Sequence, residues 1–260
     1  MRIFPAGIAV DVVRAESARF RHPLLLIHGL WTGSWIWRGF AAYLAHRGWD
    51  SWAPSFLDGA ESGTPADRLG QLVELCRTLP DPPVLLAHDA GAVTAALLAA
   101  RVGAPAIVAI APLLPRVQGE PGILSWPQFW PARLFSHEVK PPRGRAARLF
   151  LAGLADEASR LRPDSGPWFR SLLSGAERFP DDPPCPGLVV CARGDPITSA
   201  IEGELLARRF DWSFDLGGTS GHFPMLAPGW EHLADDVHRW LVRTLGEKLL
   251  AFLDDDLDAE

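Results

Sequence analysis

The stretch VLLAHDAGAV, Val84 to Val93, runs from apolar residues through a turn of small residues into a helical pattern, and it carries an aspartate, Asp89, at the turn. A nucleophile on a sharp strand-to-helix turn needs small neighbours, because the backbone is strained and the helix packs close. Ala87, Gly91 and Ala92 meet that need. The helix that starts here also presents its positive end to an anion. A carboxylate in this position is already ionised. It can displace a leaving group from a saturated carbon and become an alkyl ester. Attack on an acyl group would instead give a high-energy anhydride, so the chemistry favours C–halogen bonds or epoxides.

Two further motifs follow in the chain. Cys191-Ala192-Arg193-Gly194-Asp195-Pro196-Ile197 places a carboxylate just past an apolar run, and Gly218-Thr219-Ser220-Gly221-His222-Phe223-Pro224 presents a histidine in a small-residue loop. The order is nucleophile, acid, histidine. Asp195, in Gly-Asp-Pro ahead of a helix, also reads as an N-cap.

The elements that must position these residues alternate between strand and helix patterns. Short apolar runs at residues 23–27, 84–87, 106–111 and 187–191 suit strands buried on both faces. Helical patterns span residues 34–47, 66–79, 90–101, 199–209 and 229–252, with further strands at 3–14, 49–53 and 212–216. This alternation predicts an α/β fold with a mainly parallel central sheet and helices on both faces. Its chemistry then belongs at the carboxyl ends of the strands. Residues 1–112 and 187–253 form the expected core domain. The interruption, residues 113–186, is rich in proline and aromatics with short helical patterns, and reads as a lid over the site.

Composition narrows the class. Of 260 residues, 48% are hydrophobic and 22% charged, as in an ordinary globular domain. The net charge of −6 is concentrated in residues 254–260, DDDLDAE, which read as a frayed acidic tail. The remainder is close to neutral, which argues against a nucleic-acid partner. Three cysteines, Cys76, Cys185 and Cys191, have no metal-type spacing. Their odd number fits a reducing compartment. The N-terminal stretch, broken by Pro5, Gly7 and Asp11, is neither a signal peptide nor a membrane span. A cytoplasmic protein with no membrane or metal partner is expected.

The motif His28-Gly29-Leu30-Trp31-Thr32-Gly33-Ser34-Trp35, together with the Asp89 elbow, the Asp195 loop and Gly221-His222-Phe223-Pro224-Met225-Leu226, resembles the α/β-hydrolase fold superfamily. The likeness is to the lid-bearing branch of esterases, epoxide hydrolases and haloalkane dehalogenases, and covers nearly the whole chain. It implies Asp89 as nucleophile, His222 as base and Asp195 as the acid that orients the histidine. It also implies an oxyanion hole from the backbone N–H groups of Leu30 and Ala90, and no cofactor.

Several positions depart from the patterns of these enzymes. The only tyrosine, Tyr43, belongs to the helix after the oxyanion loop rather than to the lid. Ala90 stands where dehalogenases typically carry a halide-binding tryptophan, and Ala90, Val93 and Thr94 supply no arginine for a substrate carboxylate. Trp31, Trp126, Trp130 and Trp168 offer indole N–H donors near the expected mouth, and Arg133, Arg143 and Arg145 lie on its rim. His28 reads as structural, and His88 should turn away from substrate. The expected substrate is a small apolar organic molecule. Alternatives are a cofactor-free lyase or proton-transfer enzyme with His222 as base, a ligand-binding protein without turnover, and an esterase. No pattern assigns the oligomeric state.

Overall fold

The computed structural model describes residues 1–56, 63–114, 127–134, 137–151 and 154–255. An eight-stranded sheet is its centre. An antiparallel edge is made by β1 (Arg2–Ile3), β2 (Ala9–Val13) and, after β3 (Leu24–Ile27) and α1 (Arg38–His46), by β4 (Ser51–Ser55). Next come α2 (Pro65–Arg77), β5 (Val84–His88), α3 (Gly91–Val102) and β6 (Ile107–Ile110). Five short elements follow: α4 (Trp130–Leu134), β7 (Glu138–Val139), α5 (Gly144–Leu151), β8 (Asp164–Ser165) and α6 (Gly166–Ser174). The chain then completes the sheet with β9 (Gly187–Arg193), α7 (Ala200–Arg209) and β10 (Ser213–Ser220), and ends in α8 (Trp230–Asp255).

The strand order is β1-β2-β4-β3-β5-β6-β9-β10, and every pair from β4 onward is parallel. LLLI in β3 and IVAI in β6 are buried throughout, as central strands covered on both faces require. Around the sheet α1 packs against α8, and α2 against α3. The capping box of Thr64 and Asp67 starts α2, and that of Ser199 and Glu202 starts α7. Ser199, not Asp195, is therefore the cap of α7. The expected helix over 34–47 is a 3₁₀ turn, Ser34–Trp37, running into α1. The last helix continues to Asp255, beyond the expected end at Phe252, and residues 256–260 of the acidic tail lie outside the described residues.

The order of strands decides where the site lies. From β3 the chain steps outward to β4, then crosses back over β3 to β5 and continues the other way. The loops after β3 and β5 therefore diverge from neighbouring strands, which is the crevice where open α/β sheets hold ligands. Pairing of Ile27 with Ala87 sets the two strand ends side by side. At the far end, β10 slips register between Gly217 and Ser220, and Gly221 N–H then donates to the Arg193 carbonyl at 3.1 Å. That irregularity turns the His222 loop toward the end of β9.

The segment between β6 and β9 packs on these strand ends through Trp31. Phe129 stacks on its indole at 5.4 Å between ring centres, Phe150 meets it edge-on at 5.2 Å, and Phe169 lies at 6.3 Å. All four side chains are buried. Such pairs each add about 0.5–1.5 kcal/mol beyond area burial.

Candidate active site

Asp89 has φ +54°, in the left-handed region that a residue with a Cβ enters only at a cost of about 1–3 kcal/mol. The turn is held open by its neighbours. Asp89 N–H still bonds the Ile110 carbonyl at 3.2 Å, so the strand pairing extends through Asp89 itself. Gly91 is required because a Cβ there would stand 2.5 Å from the His28 carbonyl oxygen. Gly29 is required for the same reason on the other side: a Cβ would lie 2.4 Å from both Cβ and Oδ2 of Asp89.

The three expected catalytic side chains come together. Leu30 N–H donates to Asp89 Oδ2 at 2.8 Å, and Asp89 Oδ1 faces His222 Nε2 at 3.5 Å. On its other side His222 donates through Nδ1 to Asp195 Oδ2 at 3.0 Å. Asp195 is fixed in turn, because its Oδ1 accepts the N–H groups of Ile197 at 2.8 Å and Thr198 at 3.2 Å. His222 Nε2 has no hydrogen-bond partner. With Asp89 Oδ1, which it faces, it is open to a reacting molecule.

Burial alone would keep these groups neutral, but the charges around them win. For His222, burial favours the neutral ring, yet the Asp195 and Asp89 carboxylates outweigh it and push the imidazole up to about 10. For Asp89, burial is outweighed by His222, by His88 and by the Leu30 N–H, which hold the carboxyl below its usual range. Both shifts favour a protonated His222 beside an ionised Asp89. Burial pushes the thiols of Cys76 and Cys191 up to about 12 and that of Cys185 to about 11, so none is a competing nucleophile at neutral pH. Among the described residues, no group of three or more His, Cys, Asp or Glu side chains is arranged to hold a metal ion.

His88 and His28 are supports. The His88 Nε2–H donates to the His222 carbonyl at 2.8 Å. Burial and the neighbouring His222 charge push His88 down to about 4, which keeps it neutral. His28 Nδ1–H donates to the Gly29 carbonyl at 2.8 Å, while its Nε2 accepts Phe56 N–H at 3.3 Å. The two rings fix the loops that carry His222 and Leu30.

Of the tryptophans expected to line the mouth, Trp31 is a correction. Its indole N–H is taken by the Val139 carbonyl at 3.1 Å and its ring is wholly buried, so it anchors the loop after β3 instead of offering a donor. Trp168 is also buried, beneath the Arg68 guanidinium at 4.1 Å, and Trp130 is 57% exposed. Trp126 lies outside the described residues. Ala90, expected as the second oxyanion donor, follows Asp89 at the N-cap of α3.

One buried charge pair was not anticipated. Asp164 receives the Arg68 guanidinium on Oδ1 and the backbone N–H of Trp31 on Oδ2, the latter at 3.0 Å. Arg162 N–H adds a bond to the Trp31 carbonyl at 3.0 Å. The residue next to Leu30 is thus gripped from both peptide faces by the segment before α6. A signal for Arg68 does exist, since it lies on the stripe of Leu69, Leu72 and Cys76, where a cation needs a buried partner. Nothing in the sequence pattern points to Asp164 as that partner.

A family model described as "Alpha/beta hydrolase family" matches residues 24–231. The chain belongs to the α/β-hydrolase family. Among solved structures, this α/β hydrolase is similar to a monoacylglycerol lipase from Paleococcus ferrophilus, with TM-score 0.71 and 16% identity over 90% of this chain and 99% of that one. A soluble variant of monoglyceride lipase from Saccharomyces cerevisiae, in complex with a substrate analog, matches with TM-score 0.69 and 17% identity over 94% of both chains. The N-acyl homoserine lactonase AidH matches with TM-score 0.67 and 17% identity over 94% of this chain and 96% of that one. At these identities the likeness is one of fold. A comparison with curated protein sequences finds no match. Among the described residues, no helix is long and apolar enough to cross a membrane.

Proposed function

We propose that this α/β hydrolase is a cofactor-independent enzyme that cleaves a bond from a saturated carbon to a leaving group in a small apolar molecule, through an alkyl ester on Asp89. The observation that carries this reading is the asymmetric hold on the Asp89 carboxylate. Oδ2 is bonded to Leu30 N–H, the position a carbonyl oxygen would keep in an ester, while Oδ1 faces the open Nε2 of His222. In the first step Oδ1 attacks carbon and the leaving group departs with the bonding electrons. In the second, His222 takes a proton from water, and the resulting hydroxide adds to Cγ of the ester. The charge that develops on Oδ2 is stabilised by Leu30 N–H, with Ala90 N–H as the second donor. Collapse expels the alkoxide, which takes the proton from His222 and leaves as the alcohol. The proton of the new carboxyl passes back to the imidazole, which restores the carboxylate beside the imidazolium.

The resting imidazolium gives these steps their order. His222 cannot act as base while both carboxylates are charged. Once Asp89 is an ester, one of the two charges that hold the proton is gone, the imidazole pKa falls, and its proton leaves to solvent. Base catalysis is then available only when there is an ester to hydrolyse. The overall reaction releases one proton with the leaving group, so atoms and charge balance.

A halide or similar anion suits this site better than an epoxide, because it departs without a proton. The chain's single tyrosine, Tyr43, donates to Asp235 at 3.0 Å and accepts from Arg47, away from Asp89. The apolar substrate class follows from Phe150, whose ring lies 5.3 Å from the His222 ring, and from the Trp31 cluster behind it. Residues 113–186 serve as the lid in this reading. A cytoplasmic setting is part of it, consistent with three free thiols.

A second reading is a ligand-binding protein without turnover. It draws on the near-complete burial of Asp89 and His222. The lyase alternative fits less well, because it needs His222 as base beside a charged Asp89.

The test is intact-mass measurement of His222→Gln after incubation with small haloalkanes and epoxides, followed by peptide mapping. A mass increase located on Asp89 supports the ester route, and its size gives the substrate class. Folded protein with no adduct across the panel favours the binding reading.

A further inference from the structure

A cleft of about 360 Å³, separate from the triad, opens beside the start of the 3₁₀ turn that follows the oxyanion loop. Four arginines line it: Arg2 from β1, Arg38 from the first turn of α1, and Arg160 and Arg162 from the segment before β8. Among the described lining residues the only acid is Asp11. That carboxylate is already engaged on both oxygens, by Arg2 at 3.0 Å and by Ser34 Oγ at 2.6 Å. Arg160 pairs with Glu157 at 3.0 Å, and its guanidinium carbon lies over the Trp35 ring, 4.2 Å from the ring centre. Among the described residues, Arg162 Nη1 donates to the carbonyls of Ser159 and Leu161. Arg38 has no partner among the described residues.

Of these four cations, Arg38 and Arg162 have no carboxylate partner among the described residues, and cations gathered in this way repel one another. Concave walls concentrate such a field and raise the local concentration of anions. Guanidinium forks match the oxygens of a phosphate in pairs, which ammonium groups do not. The lining is polar apart from Trp35, so an apolar ligand gains little here.

We propose that this four-arginine cleft is a binding site for a multivalent phosphate, either free pyrophosphate or the phosphate group of a larger molecule. The site is independent of the reaction assigned to Asp89. Its position does give it a connection to the active site. Gly33 and Ser34 follow directly on the oxyanion loop, and Arg162 N–H holds the Trp31 carbonyl. A bound phosphate therefore ties β1, α1 and the segment before β8 together around that loop.

The experiment is isothermal titration of the wild-type protein with sodium pyrophosphate, and separately with inorganic phosphate and a simple phosphomonoester, against sodium chloride of equal ionic strength. Saturable binding at one site is expected. Arg38→Ala/Arg162→Ala, two exposed positions, should weaken it at least about tenfold. A control pair, Arg77→Ala/Arg208→Ala, removes the same charge from exposed helix surfaces and should leave it unchanged. Binding of the phosphomonoester as tightly as pyrophosphate would indicate a phosphate carried on a larger ligand, and preference for pyrophosphate a free one. Absence of saturable binding up to about 10 mM, or equal weakening by both pairs, would overturn the proposal.

Discussion

Leu30 N–H meets Asp89 Oδ2 at 2.8 Å, and the contact exists only because the residue before Leu30 is glycine. A Cβ on Gly29 would fall 2.4 Å from the aspartate side chain, far inside contact distance. Gly29→Ala must therefore displace either the carboxylate or the loop that binds it. Overpacking of this kind costs about 1–3 kcal/mol. A lower urea midpoint with an unchanged slope is the expected result, together with slower adduct formation on Asp89. Wild-type stability would show that the loop yields freely.

His222 should carry its proton well beyond neutral pH, because two carboxylates face it. Titration followed by ¹⁵N NMR of the imidazole should show protonation persisting to a pKa of about 10 in the wild type. Asp89→Asn removes one carboxylate and imitates the neutral ester, so the same titration should move downward. The stability that the charged ring contributes is fully present below about 6.5, its ordinary value, and is lost as pH rises through 10. Wild type should accordingly lose more stability than Asp89→Asn over that interval. An unmoved His222 titration in Asp89→Asn would remove the ordering of steps proposed above.

Parts of this site are legible in sequence for a physical reason. The Asp89 turn needs Gly91 for clearance from a backbone carbonyl, and the loop opposite needs Gly29 for clearance from the aspartate, so the steric demands leave small residues at readable spacing. The central strands are readable because burial on both faces imposes unbroken apolar runs. Trp31 misleads for the opposite reason. A loop tryptophan beside a catalytic motif looks like a substrate contact, and its burial depends on Phe129, Phe150 and Phe169, which are distant in sequence. Asp164 is hidden in the same way, 96 residues from Arg68, in a segment of short elements with little periodicity.

Breaking the Arg68–Asp164 pair from one side should be costly, since it leaves a buried charge without compensation. Asp164→Ala is expected to destabilise the fold by about 3–5 kcal/mol. Replacing both residues at once, as Arg68→Met/Asp164→Asn, removes both charges of the pair and keeps an acceptor for Trp31 N–H, so its loss should be smaller than that of Asp164→Ala alone, with the buried Glu177 carboxyl then deprived of Arg68. Urea unfolding of the single and double variants measures this. A double variant as unstable as Asp164→Ala would mean that the ion pair itself, rather than the unpaired charge, dominates.

His88 supplies an acid-sensitive element next to the triad. Its ring is wholly buried, donates through Nε2 to the His222 carbonyl, and leaves Nδ1 without a partner. Burial, reinforced by the His222 charge, pushes it down to about 4. Between pH 6.5 and 4 the unfolded chain therefore binds a proton at this position that the folded chain refuses, and stability falls as pH falls. Asp89 does not blur this window, because its depressed carboxyl protonates only below the ordinary carboxylate range. His88→Asn, which can place its amide N–H₂ near the same carbonyl and does not titrate, should flatten the stability profile between pH 6.5 and 4. The cost at pH 8 is that of a changed hydrogen bond, about 0.5–1.5 kcal/mol. Urea midpoints measured across that range for both proteins would decide it, and parallel profiles would assign the acid sensitivity to other groups.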